Sequence, residues 1–457
     1  MKILYYTWNE IIKNDICDAM KAYGHEVKLL SYEIKSYIKD IEFLNIVENE
    51  LNNGRNCGKP YDFIFSCNFM PVISKIALRN KIPYVSWTYD SPCMTMYSEM
   101  IYNPYNFMFH FDSSEVERIR KSGVKHIYHL PLAVNVRRTD AQIRACADNV
   151  SPALINKGVA FMGNLYNNEP DFVESVAGLP DYEKGYINGI KLAQLTMPGS
   201  ELLEEMFDDA LCDRLKKYVS FSKEEEFFVK DTDMILNMLK KNISSMERIG
   251  ILRELSEVCD VTLYTQSSGC DMRGVRVREY IDYERDMPVM FANSAINLNV
   301  TLRNIRTGIP LRALDIMGAG GFLLTNYCPE LNEYMTEGKD FVSYIDAGDC
   351  CEKAVYYIEH EAERKEIEAL IKKATDENSY YNRLAKPYID AGKLIVQAEN
   401  YKHYEDIKAM YDDAKARDEE NRRLEEQKAK ELEAKQKEMK QQLKTEKAKK
   451  KREQKNK

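Results

Sequence analysis

Short apolar segments alternate with helical segments through the N-terminal part of the chain, and this alternation constrains the fold more than any other feature. The predicted strands are Ile3–Thr7, Glu26–Leu30, Asp62–Cys67, Tyr84–Thr88, Phe107–Phe111 and His126–Leu132. Helices are predicted between them at Glu10–Tyr23, Pro71–Arg79 and Ser114–Lys121. Strands that alternate with helices are typical of a parallel sheet covered by helices. This part is therefore predicted to be a doubly wound α/β domain.

The strand pattern stops and then restarts, which indicates a second α/β domain. The polar segment Thr139–Lys157 contains Ser151-Pro152 and is interpreted as a linker. The later predicted strands are Val159–Gly163, Val261–Thr265, Val275–Tyr280, Ala295–Asn299, Phe322–Thr325 and Phe341–Tyr344. Residues from about 169 to about 253 have a helical pattern and are interpreted as an insertion. In a chain of 457 residues we therefore predict domains at 1–150 and 151–395.

The C-terminal segment 396–457 differs in composition from the rest of the chain. After Asp412 it consists almost wholly of Lys, Glu, Gln, Arg and Ala. Such a segment has too few apolar residues for a core or a heptad seam, so it is predicted to be a solvated helix or disordered. Its basic end, Lys444–Lys457, is a candidate contact with a partner or a membrane surface, although a solubilising tail is the simpler interpretation.

Composition excludes several classes of function. The net charge of −8 argues against a nucleic-acid partner. No apolar stretch reaches transmembrane length, and no signal peptide is recognisable at the start of the chain. The 11 cysteines include no C-x-x-C pair, so they are interpreted as reduced thiols of a cytoplasmic protein.

Neither the histidines nor the acidic residues indicate a metal site. The six histidines have no metal-ligand spacing. The D-x-D segment Asp231-Thr232-Asp233 resembles a metal motif, but it falls in the charged helical insertion with no strand before it. We therefore expect no metal and no bound cofactor.

A loop, a helix, a glycine turn and a strand are predicted within Asn304–Asn326 (NIRTGIPLRALDIMGAGGFLLTN). Pro310 suits the first turn of a helix, where its missing N–H is not needed. The helix would begin beside three arginines, which are Arg303, Arg306 and Arg312. Free N–H groups at a helix start and forked guanidinium donors both suit phosphate. Asp315, one turn after Arg312, could accept hydrogen bonds from ribose hydroxyls. The segment predicts a site for a nucleoside diphosphate, and a solvated basic face is the alternative.

Two other candidate sites follow predicted strands, where ligands bind in open α/β sheets. Gly163 ends the first strand of the second domain and would allow a substrate close to the backbone, or it is an ordinary turn glycine. Asp90 follows the Tyr84–Thr88 strand, and its carboxylate could act as a general base or cap the turn before Pro92. His110 and Asp112 are a second candidate pair for the same role, whereas His129 is interpreted as a packed histidine.

Several of these segments resemble GT-B glycosyltransferases, in particular the CgeB-like spore-maturation glycosyltransferase group. In the C-terminal half the matching segments are Phe161–Tyr166 (FMGNLY), Gly185–Gly189 (GYING), Arg248–Tyr264 (RIGILRELSEVCDVTLY) and Thr307–Tyr327 (TGIPLRALDIMGAGGFLLTNY). In the N-terminal half they are Ser86–Pro92 (SWTYDSP) and Tyr128–Asn135 (YHLPLAVN). The resemblance covers roughly Met1 to Ile395.

The resemblance implies a GT-B fold, with two Rossmann-like domains facing a cleft. It implies transfer of a hexosyl group from a nucleotide-diphosphate sugar, UDP-linked in our interpretation, to an unknown acceptor such as a surface polysaccharide, a spore-coat component or a protein glycan. Asp90 would lie near the reacting centre, and the last helices, Ser379–Ala398, would cross back onto the first domain. The expected donor-binding residues are Gly163, Arg248, Arg303, Arg306, Thr307, Gly308, Arg312 and Asp315. In such enzymes basic residues and a helix start usually hold the diphosphate without a metal.

This chain departs from the family pattern at one position. Many retaining GT-B enzymes carry two glutamates eight positions apart around this helix, and Thr307 and Asp315 stand there in this chain. The resemblance therefore implies a ribose contact for Asp315 but does not imply the retaining mechanism. Two alternatives stay open: a nucleotide-sugar epimerase, and a catalytically inactive nucleotide-binding scaffold.

Overall fold

The structure consists of two parallel six-stranded sheets with helices packed against them. It is a computed structural model that describes residues 1–167, 171–197, 201–219, 229–269 and 272–377. The strands of the first sheet are β1 (Lys2–Thr7), β2 (Glu26–Ser31), β3 (Phe63–Cys67), β4 (Tyr84–Thr88), β5 (Asn106–His110) and β6 (Ile127–His129), in the order β2-β1-β3-β4-β5-β6. Those of the second are β7 (Asn156–Met162), β8 (Val261–Thr265), β9 (Val275–Glu279), β10 (Ser294–Asn299), β11 (Leu323–Asn326) and β12 (Val342–Tyr344), in the order β12-β11-β10-β7-β8-β9. Two doubly wound sheets are the predicted fold class, which is confirmed.

Helices connect the strands and cover the sheets. In the first half they are α1 (Lys13–Ala22), α2 (Ile41–Asn56), α3 (Pro71–Asn80), α4 (Ser113–Lys121) and α5 (Val136–Cys146). The insertion between β7 and β8 holds α6 (Phe172–Ser175), α7 (Asp181–Thr196), α8 (Leu202–Met206), α9 (Asp209–Leu215) and α10 (Asp231–Val258). The remaining helices are α11 (Met287–Ala292), α12 (Leu311–Gly318), α13 (Leu331–Tyr334), α14 (Ala347–Glu359) and α15 (Glu361–Glu377). Among the described residues, no helix is long and apolar enough to cross a membrane.

Local sequence signals explain where these elements begin and end. Every residue of β3 and of β4 is buried, as expected for central strands covered on both faces. The Asp112 side chain accepts a hydrogen bond from the Ser114 amide and so caps α4. Gly24 and Gly123, just past the ends of α1 and α4, have φ angles of +76° and +98°, which glycine adopts without strain.

The predicted linker Thr139–Lys157 is wrong at its start, because α5 occupies Val136–Cys146. Asn135 caps this helix by accepting a hydrogen bond from the Arg138 amide. The helix is polar because Arg138 is needed inside: its guanidinium pairs with buried Asp15 of α1 at 2.6 Å and donates to the Glu284 carbonyl at 3.1 Å. The end of the predicted linker overlaps β7, which begins at Asn156, and the predicted boundary near residue 150 lies between α5 and β7.

The helical insertion has a hydrophobic core of its own. Apolar side chains of α6, α7, α9 and α10 form a cluster separate from the main core, with Phe172, Ile187, Leu211 and Ile235 at 0–1% exposure. Asp231 and Asp233 lie in the first turn of α10, where carboxylates stabilise the helix dipole. The predicted crossing helix Ser379–Ala398 and the tail 396–457 lie outside the described residues.

Helix α12 packs directly against the first domain. A Cβ atom added at Gly318 would lie 2.5 Å from Cγ2 of Val134, and one added at Gly308 would lie 2.7 Å from Cδ2 of Phe111. Real Cβ atoms do not approach side chains this closely. The absence of a side chain at these two glycines therefore allows the two domains to meet.

We expect Gly318→Ala to lower the free energy of unfolding by about 1–3 kcal/mol, because the methyl group overpacks against Val134. Helix propensity alone favours alanine, so a loss isolates the packing effect. Gly189→Ala in α7 is the matched control, since no atom lies within 4 Å of its added Cβ. Urea denaturation of both variants and of Gly318→Ala/Val134→Ala measures this. Equal stabilities of the two glycine variants would contradict the packing argument.

Candidate active site

A cavity of about 990 Å³ lies between the carboxyl ends of the first-sheet strands and the second domain. Its first-domain wall comes from the residues that follow β1, β2, β3 and β4. Its second-domain wall includes Tyr166 after β7, Asn237 and Lys241 of α10, and Leu302 and Asn304 after β10. The carboxyl edges of parallel strands are where open α/β sheets bind ligands. We call this space the main cavity.

Unusual backbone geometry is concentrated around the main cavity. In the described parts of the chain, four non-glycine residues have positive φ, and three of them line this cavity: Asn9 at +67°, Asn68 at +59° and Tyr166 at +55°. Asparagine tolerates this conformation better than other residues, whereas for tyrosine it is strained. Strained residues gather at functional sites because the surrounding structure must hold them in place.

Asp90 lies at the main cavity, at the carboxyl edge of the first sheet. Its side chain is open to the cavity, and its Oδ2 accepts a hydrogen bond from Asn68 Nδ2 at 2.7 Å. Asn68 Oδ1 also accepts the Tyr89 amide at 3.1 Å, which holds the loop that carries Asp90. The protein that encloses the cavity raises the pKa of Asp90 by desolvation, and the Asn68 hydrogen bond and Lys241 oppose this. A fixed carboxylate with a raised pKa suits a general base.

The second candidate pair, His110 and Asp112, is buried and forms hydrogen bonds within the protein. Asp112 is buried, and its carboxylate accepts hydrogen bonds from the Arg306 amide and the Thr307 hydroxyl, both at 2.8 Å. His110 is also buried, and its Nδ1 accepts the Asp112 amide at 3.1 Å. These contacts join the first domain to the loop before α12. His129 contacts the second domain too, with Nε2 3.0 Å from Glu330 Oε2.

Burial lowers the pKa of His110 from 6.5 to about 4, with Asp112 opposing the shift. Between these values the unfolded state binds a proton that the folded state rejects, so stability falls as the pH drops from 6.5 to 4. At about 1.4 kcal/mol per pKa unit the loss is about 3 kcal/mol.

His110→Asn should reduce this acid sensitivity, because an asparagine oxygen can replace Nδ1 as the acceptor but does not titrate. Denaturant unfolding at several pH values measures it, with His360→Asn on the exposed end of α14 as the control. An unchanged pH slope in His110→Asn would show that another group causes the acid loss.

Arg248 lies at the switch point of the second sheet, between the neighbouring strands β7 and β10. Its Nε and Nη2 donate to the Val300 carbonyl at 3.2 and 2.6 Å, and its Nη1 donates to the Asn164 carbonyl. The guanidinium also lies over the rings of Tyr166 and Phe161, at 5.3 and 5.5 Å from their centroids. Burial lowers the pKa of Arg248, but an arginine stays charged.

No carboxylate of the described residues pairs with the Arg248 guanidinium, whose partners are neutral carbonyls and rings. A buried cation is expensive unless an anion offsets it. The place where strand order reverses is also where doubly wound sheets bind phosphates. Arg248 therefore has no carboxylate partner among the described residues at the switch point, but it lines neither of the two cavities described in this section, and its donor-binding role stays a prediction.

Gly163 lies beside Arg248 at the end of β7. Its amide donates to the Tyr264 carbonyl at 3.1 Å, and an added Cβ would lie 3.2 Å from Cζ of Phe161 and 3.8 Å from Nη1 of Arg248. A larger residue here would therefore press on the side chains that hold the guanidinium.

Arg303 and Arg306 line a smaller cavity of about 270 Å³, over the carboxyl ends of β10, β11 and β12. Arg303 forms a forked pair with Glu247, with distances of 3.1 and 3.0 Å. Arg306 pairs with Glu204 of α8 and lies 3.6 Å from Glu201. Lys240 of α10 pairs with Glu204 as well. Three carboxylates of the insertion, Glu201, Glu204 and Glu247, thus neutralise these cations, in contrast to Arg248.

Arg312 does not converge with the other two arginines, contrary to the sequence prediction. It follows the first residue of α12 and turns toward α11, where the guanidinium lies 5.8 Å from the centroid of the Phe291 ring. Its Nη2 donates to the hydroxyl of Tyr280, which follows β9, at 3.2 Å. Its Nη1 lies 3.2 Å from Asp315 Oδ2, and Asp315 Oδ1 accepts the Tyr283 hydroxyl at 3.0 Å. Burial raises the pKa of Asp315 to about 6. The predicted pairing of Arg312 and Asp315 on one helix face is present, but neither residue lines the two cavities described above.

Thr307 and Gly308 contact the first domain. The Thr307 hydroxyl lies 3.0 Å from Ser113 Oγ and accepts the Ser114 amide at 3.2 Å, in addition to donating to Asp112. Gly308 packs on Phe111 and borders the smaller cavity. At the position where retaining enzymes carry a glutamate, this chain therefore has a hydroxyl that joins the domains.

The residues of the main cavity that sequence reasoning missed include Trp8, Asn68 and Lys241. Trp8 and Asn68 follow β1 and β3 just as Asp90 follows β4, so strand ends were a usable signal for them. Lys241 comes from the middle of α10, and nothing local in the sequence marks it.

Comparison with known proteins identifies a family for part of this chain. Residues 248–388 match the family model described as glycosyl transferase-like. No curated protein matches the chain significantly.

Solved structures similar to this chain include three that we name here. A UDP-forming α,α-trehalose-phosphate synthase from Burkholderia xenovorans has 11% identity and a TM-score of 0.48, over 87% of this chain and 99% of that one. A glycosyltransferase from Rickettsia africae has 10% identity and a TM-score of 0.47, over 87% and 99%. Anabaena HepE, solved with UDP and glucose, has 10% identity and a TM-score of 0.46, over 86% and 100%. Residues 248–388 are therefore similar to the glycosyl transferase-like family, and they lie in a chain with the two doubly wound sheets that the sequence predicts.

Proposed function

We propose that this protein transfers a sugar from a nucleoside-diphosphate sugar, a UDP-sugar in the first instance, to an acceptor hydroxyl held in the main cavity. The single observation that carries the proposal is the position of Arg248. Among the described residues this buried cation at the switch point of the second sheet has no carboxylate partner, and Tyr166, over whose ring it lies, also lines the main cavity that holds Asp90. The segments quoted above also resemble the CgeB-like group, and we propose that the chain belongs to it.

The reaction we propose proceeds with inversion. Asp90 removes the proton from the acceptor hydroxyl, and the oxygen attacks the anomeric carbon of the donor sugar. The bond between that carbon and the diphosphate oxygen breaks, and the nucleoside diphosphate leaves with the electron pair. Arg248 stabilises the charge that develops on the diphosphate. Thr307 supports inversion, because the position that carries a carboxylate in many retaining enzymes has none here.

The contacts that hold Arg248 also prepare it to bind the diphosphate of the donor. The Arg248 side chain is held on three sides by carbonyls and rings, so its charge is positioned before the donor binds. Such preorganisation lowers the free-energy cost of reaching the transition state. Since a guanidinium supplies the positive charge, we expect transfer to persist in EDTA.

Calorimetry with UDP, GDP and ADP tests the proposal, followed by assays of UDP release from UDP-sugars with mixed glycan acceptors. We expect UDP to bind, and saturation at a hundred times its Kd to stabilise the fold by about 2.7 kcal/mol in a thermal-shift assay. Failure of every nucleoside diphosphate to bind at millimolar concentration would overturn the proposal. Loss of transfer in EDTA with recovery on adding Mg²⁺ would instead reject the metal-free mechanism.

A further inference from the structure

The first-domain wall of the main cavity is rich in aromatic rings. Trp8 and Tyr89 lie nearly parallel, with ring centroids 6.1 Å apart and 8° between the planes. Trp8 is 40% exposed and Tyr37 is 43% exposed, and both line the cavity. The Trp8 indole N–H donates to the Cys67 carbonyl at 3.4 Å, which fixes the direction of the ring. The cavity thus presents flat, oriented and partly uncovered rings.

Aromatic rings of this kind bind ligands that have an apolar face and a polar edge. A sugar ring has both, because its C–H bonds form a face while its hydroxyls point outward. The polar residues of the same wall, which include Asn9, Ser31 and Thr95, are uncharged donors and acceptors that suit hydroxyls.

The charges of the main cavity disfavour an anionic acceptor. The charged residues among its described lining are Glu33, Asp90 and Lys241, so the first-domain wall carries two carboxylates and no cation. A phosphate or a carboxylate on the acceptor would be repelled by them. The smaller cavity differs, because its lining includes three cations, Lys240, Arg303 and Arg306, which are paired with carboxylates.

The size of the cavity indicates more than one sugar ring. Its volume of about 990 Å³ is at the upper end of the ~300–1,000 Å³ range of small-molecule sites. The aromatic residues also extend from β1 and the β2 end, where Trp8 and Tyr37 lie, to the end of β4, where Tyr89 precedes Asp90.

We propose that the acceptor is a neutral oligosaccharide of at least two rings, which packs on Trp8 and presents a hydroxyl to Asp90. The inference rests on the proposed function, since it names the acceptor class of that same site. Trp8 is a binding residue in this scheme and takes no part in the chemistry.

The chain offers a direct reporter of this binding. It contains two tryptophans, and Trp87 is 1% exposed, so collisional quenching by acrylamide acts mainly on Trp8. The full chain is first screened on an array of neutral, sialylated and phosphorylated glycans. Maltotriose and cellotriose, with glucose 6-phosphate as the anionic comparison, and every glycan that binds on the array are then titrated while acrylamide quenching is followed. We expect neutral glycans of two or more rings to bind and to lower the quenching constant.

Substitutions of Trp8 distinguish a role of its ring in glycan binding from a role in the stability of the fold. Trp8→Ala should weaken glycan binding at least about tenfold, Trp8→Phe should weaken it less, and UDP affinity should be unchanged in both. Tyr102→Ala is the matched control, because Tyr102 is an exposed aromatic residue outside this cavity and its loss should change nothing. Full glycan affinity in Trp8→Ala would overturn the role of Trp8.

Binding restricted to sialylated or phosphorylated glycans, or no glycan binding at all, would overturn the inference. Calorimetry with UDP on the same preparation distinguishes failure of the proposed acceptor class from failure of the proposed function. If UDP binds and no neutral glycan does, the acceptor class is wrong and the proposed function stands. If neutral glycans bind and UDP does not, the proposed function fails independently.

Discussion

Arg248→Met is expected to weaken UDP binding by about one to two orders of magnitude. A hydrogen bond to a charged group contributes about 1.5–3 kcal/mol, and here the whole charge at the switch point is removed. Methionine keeps an unbranched stem that can pack on Phe161 and Tyr166, so the fold should survive with reduced stability. The loss should be largest for UDP and UDP-sugars and small for uridine, which has no phosphate.

Arg248→Lys is the matched variant, because it keeps the charge and loses the fork that bridges the Val300 and Asn164 carbonyls. If Arg248 binds the diphosphate through its charge, the lysine variant should retain much of the UDP affinity that the methionine variant loses. If Arg248 only ties β7 to β10, both variants should be equally destabilised and should bind UDP alike once the folded fraction is taken into account. Calorimetry at a temperature well below the melting point of each variant decides between these outcomes.

The two sheets were predictable because their strands are buried on both faces and so appear as continuous apolar segments between helical ones. Helix α5 was missed for the opposite reason. Its segment looks like a polar linker, and only Asp15, far away in the sequence, explains why Arg138 is inside. A buried ion pair between distant residues leaves no local periodicity, so sequence patterns cannot reveal it.

In the candidate site, too, local sequence patterns predict local contacts but not contacts between distant residues. The helix that begins after Pro310 and its pairing of Arg312 with Asp315 follow from local spacing, and both are present. The direction in which Arg312 points, however, depends on how α12 packs against its neighbours, and in the structure it points toward Phe291 of α11.

Arg303 and Arg306 were equally ambiguous in the sequence. Whether an arginine is available to an anion depends on its carboxylate partners, and Glu201 and Glu204 of the insertion lie about a hundred residues before the arginine that they neutralise. Arg248 came from the family resemblance, and its lack of a carboxylate partner among the described residues became visible only in three dimensions.

Asp90→Asn is expected to reduce the transfer rate by at least the ~10²-fold that is typical of losing a general base, with donor affinity unchanged. The asparagine oxygen can still accept the hydrogen bond from Asn68 Nδ2, so the loop and the fold should be preserved. The pH profile gives a second test. Because its surroundings raise the pKa of Asp90, the rate should begin to fall, as the pH is lowered, at a pH above the usual aspartate range, since only the ionised form can take the proton.

Glu33→Gln is the matched control for Asp90→Asn, because it removes another carboxylate from the same cavity at a position remote from the β4 end. It should change the KM for the acceptor more than kcat and leave the acid limb of the pH profile in place. Near-normal kcat in Asp90→Asn would exclude Asp90 as the base. His110 and Asp112 could not then replace it in this arrangement, since both are buried and Asp112 already accepts hydrogen bonds from Arg306 and Thr307. The remaining carboxylate of the main cavity, Glu33, would become the residue to test, and the proposed direction of attack would have to change with it.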